Sequence, residues 1–186
     1  MDTFSFLSVL FSVIMGLALT EVLQSLRRLI LARQRVTIYW PALIWAGLMI
    51  VIVAQAWWGM FGMRQFREWN MAMYAAVLLQ ITLMYLSAAV VLPEISSRDA
   101  IDMRAAYYAN SRWFFGLLAL TVTSTFLKDF ATIGFINYSW NTAFLLTYIL
   151  LSAIAAVSKS SWYHCILAPF SAVAIGTYAA VLSFRL

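Results

Sequence analysis

Six long apolar segments fill nearly all of this 186-residue chain, and only short polar stretches separate them. A helix that crosses a bilayer needs about 20 mainly apolar residues. Its backbone N–H and C=O groups have no water in the hydrocarbon and must bond within the segment. The segments at about 4–28, 41–63, 71–92, 113–133, 140–157 and 165–184 meet that requirement, the fifth being the shortest. Nothing is left over for a water-soluble domain. The expected fold is all-α: a polytopic membrane helix bundle of about six transmembrane helices. It forms one integral membrane domain over 1–186, with short loops and one amphipathic cytoplasmic connector. Hydrophobic residues make up 65% of the chain and charged residues 10%. A soluble domain is about half apolar and roughly a quarter charged.

The first segment lacks the plan of a cleavable signal peptide, which begins with positive charge. Asp2 precedes it, and Arg27, Arg28, Arg33 and Arg35 follow it. Loops one, three and five together carry those four residues with Arg98, Arg104, Arg112 and Lys159, eight of the 12 basic residues. The opposite side carries Arg64, Arg67, Lys128 and Arg185. By the positive-inside rule both termini face out and the odd loops face the cytoplasm. The expected location is a bacterial-type plasma (inner) membrane. The formal charge of +5 belongs to helix ends and is not a nucleic-acid signal. The expected partners are the lipid bilayer and either a second copy of the chain or other membrane proteins. Tyr39, Trp40, Trp57, Trp58, Trp69, Trp113, Trp140, Trp162 and Tyr163 lie near segment ends, as an interfacial aromatic belt requires.

Cys165 is the only cysteine and His164 the only histidine. An intramolecular disulfide, a multi-cysteine metal site and a bis-histidine haem are thereby excluded within one chain. There is no glycine-rich phosphate loop, no His-Glu-x-x-His pair and no glycine-flanked nucleophilic serine. No cofactor and no catalytic residue is expected, and the chain does not read as an enzyme. An intramembrane aspartic dyad would need two carboxylates at one depth, whereas only Glu21 lies well inside a segment.

Glu21 lies six residues before Arg27, roughly 9 Å along a helix. An ionisable residue at membrane depth is costly and marks a functional candidate. Beside it Ser8, Ser12, Gly16, Thr20, Gln24 and Arg28 recur at intervals of four. Small residues let helices approach, and polar ones bond across the contact. The stripe reads either as a packing seam, with Glu21 paired to an arginine such as Arg28, or as a path for water, a proton or a solute.

The fourth segment carries a second stripe, Thr121, Ser124, Thr125 and Lys128, with Asp129 adjoining. Lys128 lies roughly 22 Å from Trp113, near the outer end, which separates it in depth from Glu21. Gln55 and Gln80 are further polar residues within segments, readable as interhelix bonds or as cavity lining. Met60, Met63, Met71 and Met73 flank the loop between the second and third segments. Thioethers are soft ligands for Cu(I), but methionine is also a common apolar filler. The connector from Pro93 to Arg112 is expected to form a short amphipathic helix, either separate from the fourth span or continuous with it, and Ser96 and Asp99 suggest a capping box. Arg98 and Asp102 are spaced for a helical pair, and Ile101, Ala105 and Tyr108 for an apolar stripe. Pro169 interrupts the sixth segment.

The function these residues point to is a small integral membrane channel or transporter for protons, cations or a small solute, using an intramembrane carboxylate. Glu21, Gln24, Arg28, Gln55, Gln80, Thr125 and Lys128 are the candidate path-lining residues. The competing reading is a non-catalytic membrane scaffold or accessory subunit that binds other membrane proteins or lipids.

Overall fold

The computed structural model describes residues 3–66, 69–94, 100–134 and 139–183. Six helices dominate them: α1 (Thr3–Leu31), α2 (Trp40–Met60), α3 (Met71–Val90), α4 (Met103–Ile133), α5 (Trp140–Val157) and α6 (Ser161–Ser183). A 3₁₀ segment, Phe61–Gln65, extends α2. All six helices are long and apolar enough to cross a membrane, so the chain is an all-α membrane bundle.

Local chemistry sets the helix ends. Pro41 opens the first turn of α2, where a missing N–H costs nothing. Asn70 caps α3 by accepting from Met73 N at 2.9 Å. Asp102 caps α4, accepting from Arg104 N at 2.8 Å and Ala105 N at 3.3 Å. Gly134 closes α4 with φ 81°, its N–H bonded to Phe130 O at 2.9 Å. The left-handed conformation makes glycine the fitting residue there.

The helices close into a ring. α1 packs against α2 and α3, α3 against α4, α4 against α5, and α2 against α6. α5 and α6 meet through side chains: Phe144 stacks on Tyr178 at 4.8 Å, and Tyr163 Oη donates to Leu151 O at 2.9 Å. Loops two and four join helices at the end that also carries the start of α1 and the end of α6. Loops one, three and five lie at the opposite end. There a two-residue parallel pairing of β1 (Val36–Thr37) with β2 (Ile101–Asp102) clasps loops one and three. Ile101 N donates to Arg35 O at 2.9 Å.

This clasp corrects one part of the expectation for the connector, the helical stripe, and the continuous alternative is the one found. Ile101 is strand, not part of a helical apolar stripe, and Ala105 is exposed. The amphipathic connector is the first turns of α4 itself, which runs unbroken into the span. Ser96, Arg98 and Asp99 lie outside the described residues. Trp57, Trp113, Trp140 and Trp162 are exposed on the bundle surface and Trp58 is half-exposed, whereas Tyr39 is buried. Tyr39 therefore packs inside the bundle and does not belong to the belt. Pro169 faces outward from within α6.

Candidate functional site

The ring is not filled at the end bearing loops two and four. A cavity of about 490 Å³ lies between the helices, and all six contribute to its wall. That volume falls in the usual range of small-molecule sites, roughly 300–1,000 Å³. Met15 is the α1 contribution. Gln55, Trp58, Gly59 and Met60 come from α2, with Met63 from the 3₁₀ segment. Val77, Gln80, Ile81 and Met84 come from α3, and Leu118, Thr121, Thr125 and Lys128 from α4. Phe144 and Tyr148 on α5 and Ile175 and Tyr178 on α6 complete it.

The polar groups of the wall are sparse and positioned. Gln80 Nε2 donates to Thr125 Oγ1 at 2.9 Å, joining α3 to α4. Lys128 Nζ stands 3.8 Å from Asp129 Oδ1, with the two side chains 25% and 34% exposed. Tyr178 Oη donates to Asn141 Oδ1 at 2.7 Å. Thr121 Oγ1 donates to Leu117 O at 2.8 Å within its own helix. The Tyr148 hydroxyl and Ser171 Oγ are buried together on α5 and α6 without reaching hydrogen-bond geometry among the described residues.

At the other end the ring is plugged. Trp45 sits edge-on to Phe114 and Phe115 at 5.5 and 5.1 Å between ring centres. His164, fully buried, stands at 90° to Tyr107 with ring centres 5.4 Å apart. Its Nε2 lies 2.9 Å from the Ser158 carbonyl, and its Nδ1 2.9 Å from the Tyr107 hydroxyl. A carbonyl can only accept, so Nε2 donates to Ser158, and in the neutral ring Nδ1 accepts from the Tyr107 hydroxyl. Both nitrogens of His164 are used, and the ring ties α6 to α4 and to the end of α5. Trp45 Nε1 lies beside the Tyr107 hydroxyl without a hydrogen bond. Tyr39 Oη lies 3.1 Å from Tyr108 Oη and 3.8 Å from Cys165 Sγ. Burial, and then its bond to Tyr108, raises the pKa of the Tyr39 hydroxyl above the usual tyrosine range.

The residues singled out in the sequence divide between these surroundings. Gln55, Gln80, Thr125 and Lys128 converge on the cavity. Glu21, Gln24 and Arg28 do not. The buried face of α1 is Phe11, Met15, Ala18, Val22 and Leu29, and Ser12, Gly16, Thr20, Gln24 and Arg28 are exposed on the outside of the bundle. Their hydroxyls bond back to their own helix, Ser12 to Ser8 O and Thr20 to Gly16 O. Arg28 bonds Gln24 at 3.3 Å and not Glu21, which is half-buried and unpaired among the described residues. The stripe is therefore neither a seam inside the bundle nor a wall of its cavity.

The four methionines also separate. Met60 and Met63 line the cavity, Met73 is buried, and Met71 is 76% exposed. Among the described residues no three of His, Cys, Asp and Glu gather as a metal set.

The plug was missed by sequence reasoning. Its members lie near segment ends, where aromatic residues read as a belt. The available signal was the single histidine among tyrosines and tryptophans. No family model, curated protein or solved structure matches this chain.

Proposed function

We propose that the protein is a membrane transporter for a small solute. In this reading the cavity is the substrate site and the aromatic–histidine plug is the closed gate. The observation that carries it is that one cavity, lying toward the end that bears loops two and four, draws on all six helices. Transporters bind substrate near mid-membrane between helices and expose it to one side at a time. In this reading, with the basic loops one, three and five cytoplasmic, the cavity faces the outer side and the plug the cytoplasmic side. Glu21 is away from the cavity wall, so Lys128 replaces it as the charged group of the path.

The test is uptake into liposomes carrying the purified chain, using protons, inorganic ions and labelled small organic acids, amines and neutral solutes. Uptake of at least one class above that of empty liposomes, reduced by Gln80→Leu, is expected. Uptake equal to empty liposomes for every class would sink the transport reading.

A second reading, a scaffold or accessory subunit, rests on the outer face of α1. Polar and small residues facing lipid, with an unpaired carboxylate beside them, suit contact with another helix.

A further inference from the structure

We infer that the cavity takes a single-tailed amphiphilic anion, its acidic head at Lys128 and its apolar tail running inward toward Met84 and Leu118. This rests on the reading of the cavity as a solute site and adds the class of solute.

Charge gives the sign of the head group. Among the described residues lining the cavity, Lys128 alone is charged. Its ammonium has three N–H donors, and among the described residues it makes no hydrogen bond. Its one ion pair is the 3.8 Å approach to Asp129, well beyond the 2.7–2.9 Å of a charge-assisted hydrogen bond. Asp129 does not line the cavity. An anion entering there gains a partner for a charge that is short of one. A cation would meet repulsion, and a neutral head would leave the ammonium as it is.

Depth gives the tail. α4 runs from the plugged end to the open end. Thr125 lies one turn inward of Lys128, and Leu118 ten residues inward, roughly 15 Å. Met84 lies four residues inward of Gln80 on α3, roughly 6 Å. The ammonium and the Gln80–Thr125 pair thus lie outward of an apolar floor. Four methionines, Met15, Met60, Met63 and Met84, line the cavity. Their flexible side chains adapt to tails of differing shape. The head could be a carboxylate or a phosphate monoester, and the ligand could arrive as a free amphiphile or as a single-tailed lipid.

The experiment uses the full chain in nanodiscs of zwitterionic lipid and a C12 carboxylate brominated near its head group, which this arrangement puts at the level of Trp58. Bromine quenches tryptophan, and Trp58 lines the cavity. Saturable quenching that disappears in Trp58→Phe is expected, above the non-saturable quenching of the outer tryptophans. Lys128→Met is expected to weaken the saturable part about tenfold, and Lys128→Arg to retain it. That retention separates charge from packing. The matching C12 amine is expected to show only the non-saturable part. A C12 phosphate should compete, whereas acetate and inorganic phosphate should not. Single-chain lysophospholipid of net negative charge added in the disc, if it competes equally, identifies the lipid source. Equal saturable quenching by the amine, no effect of Lys128→Met, or competition by acetate or inorganic phosphate would overturn the anionic amphiphile. These results would leave the cavity standing as a solute site. Absence of saturable quenching by acid, amine and the corresponding alcohol would remove the cavity reading itself.

Discussion

Gln80 on α3 donates a 2.9 Å hydrogen bond to Thr125 on α4 at the cavity wall. It is a side-chain bond between two helices within the span, and it fixes where the Gln80 amide points. Interhelix bonds in membranes average about 0.6 kcal/mol and reach about 1.7. Gln80→Leu and Thr125→Val are each expected to lower stability by about 1 kcal/mol. The double variant should cost less than the sum of the two. Thermal unfolding in mild detergent measures all three. Strict additivity would mean that the bond is absent in the membrane protein.

Gly59 lines the cavity, and a Cβ built there meets nothing within 4 Å. A phenylalanine at this position is expected to project into free volume rather than into packed atoms. Gly59→Phe should therefore keep the melting temperature within a few degrees and reduce solute binding about tenfold or more. Binding is read by quenching of Trp58 and folding by circular dichroism. Unchanged binding with the fold intact would show that the solute sits elsewhere.

The plug is predicted to be a stability element as well as a barrier. His164→Ala would strand the Tyr107 hydroxyl and the Ser158 carbonyl and leave a void. A buried group left unsatisfied costs about 1–3 kcal/mol, so a loss of about 3 kcal/mol or more is expected. Tyr107→Phe removes one partner only and should cost about 1 kcal/mol. If the plug is the closed gate, Tyr107→Phe should also raise passive leak of solute from loaded liposomes. Leak equal to wild type in both Tyr107→Phe and Trp45→Phe would separate the plug from gating.

The membrane bundle was legible because length and apolarity are local properties that each segment carries by itself. Gln80, Thr125 and Lys128 were legible as a group for a related reason: polar side chains in a span seek protein rather than lipid. The α1 stripe shows where that reasoning stops. A period of four says that Ser12, Gly16 and Thr20 share a face, but not where the face points. Their hydroxyls can satisfy themselves on the preceding turn, so nothing compels them inward. The Val36–Ile101 pairing was out of reach because the partners lie far apart in sequence and each strand is too short to show alternation. His164 escaped because its partners on α4 and at the end of α5 come together only in the folded ring.

The ends of α4 give paired predictions on opposite faces of the bundle. Asp102 accepts from two backbone N–H groups at the first turn, and Asp102→Ala should cost about 1 kcal/mol. Gly134 holds φ 81° at the last, where an alanine should cost about 1 kcal/mol through left-handed strain. The two sites are the length of the helix apart, so the double variant should be additive. Denaturant midpoints in detergent decide this. A neutral Gly134→Ala would mean that the helix ends differently in the bilayer.

Gly16 is exposed at the middle of the polar stripe on α1, and a Cβ there also meets nothing within 4 Å. The monomer therefore has room for a larger residue. If another copy packs on this face, the glycine is where the two backbones approach, since small residues at four-residue spacing permit close contact. Gly16→Leu should then leave the monomer folded and cavity binding unchanged, while shifting the oligomeric state in nanodiscs or by crosslinking toward monomer. Glu21→Gln, beside the stripe, should shift it less, because an amide can still bond across a helix contact. An oligomeric state unmoved by Gly16→Leu would assign this face of α1 to lipid.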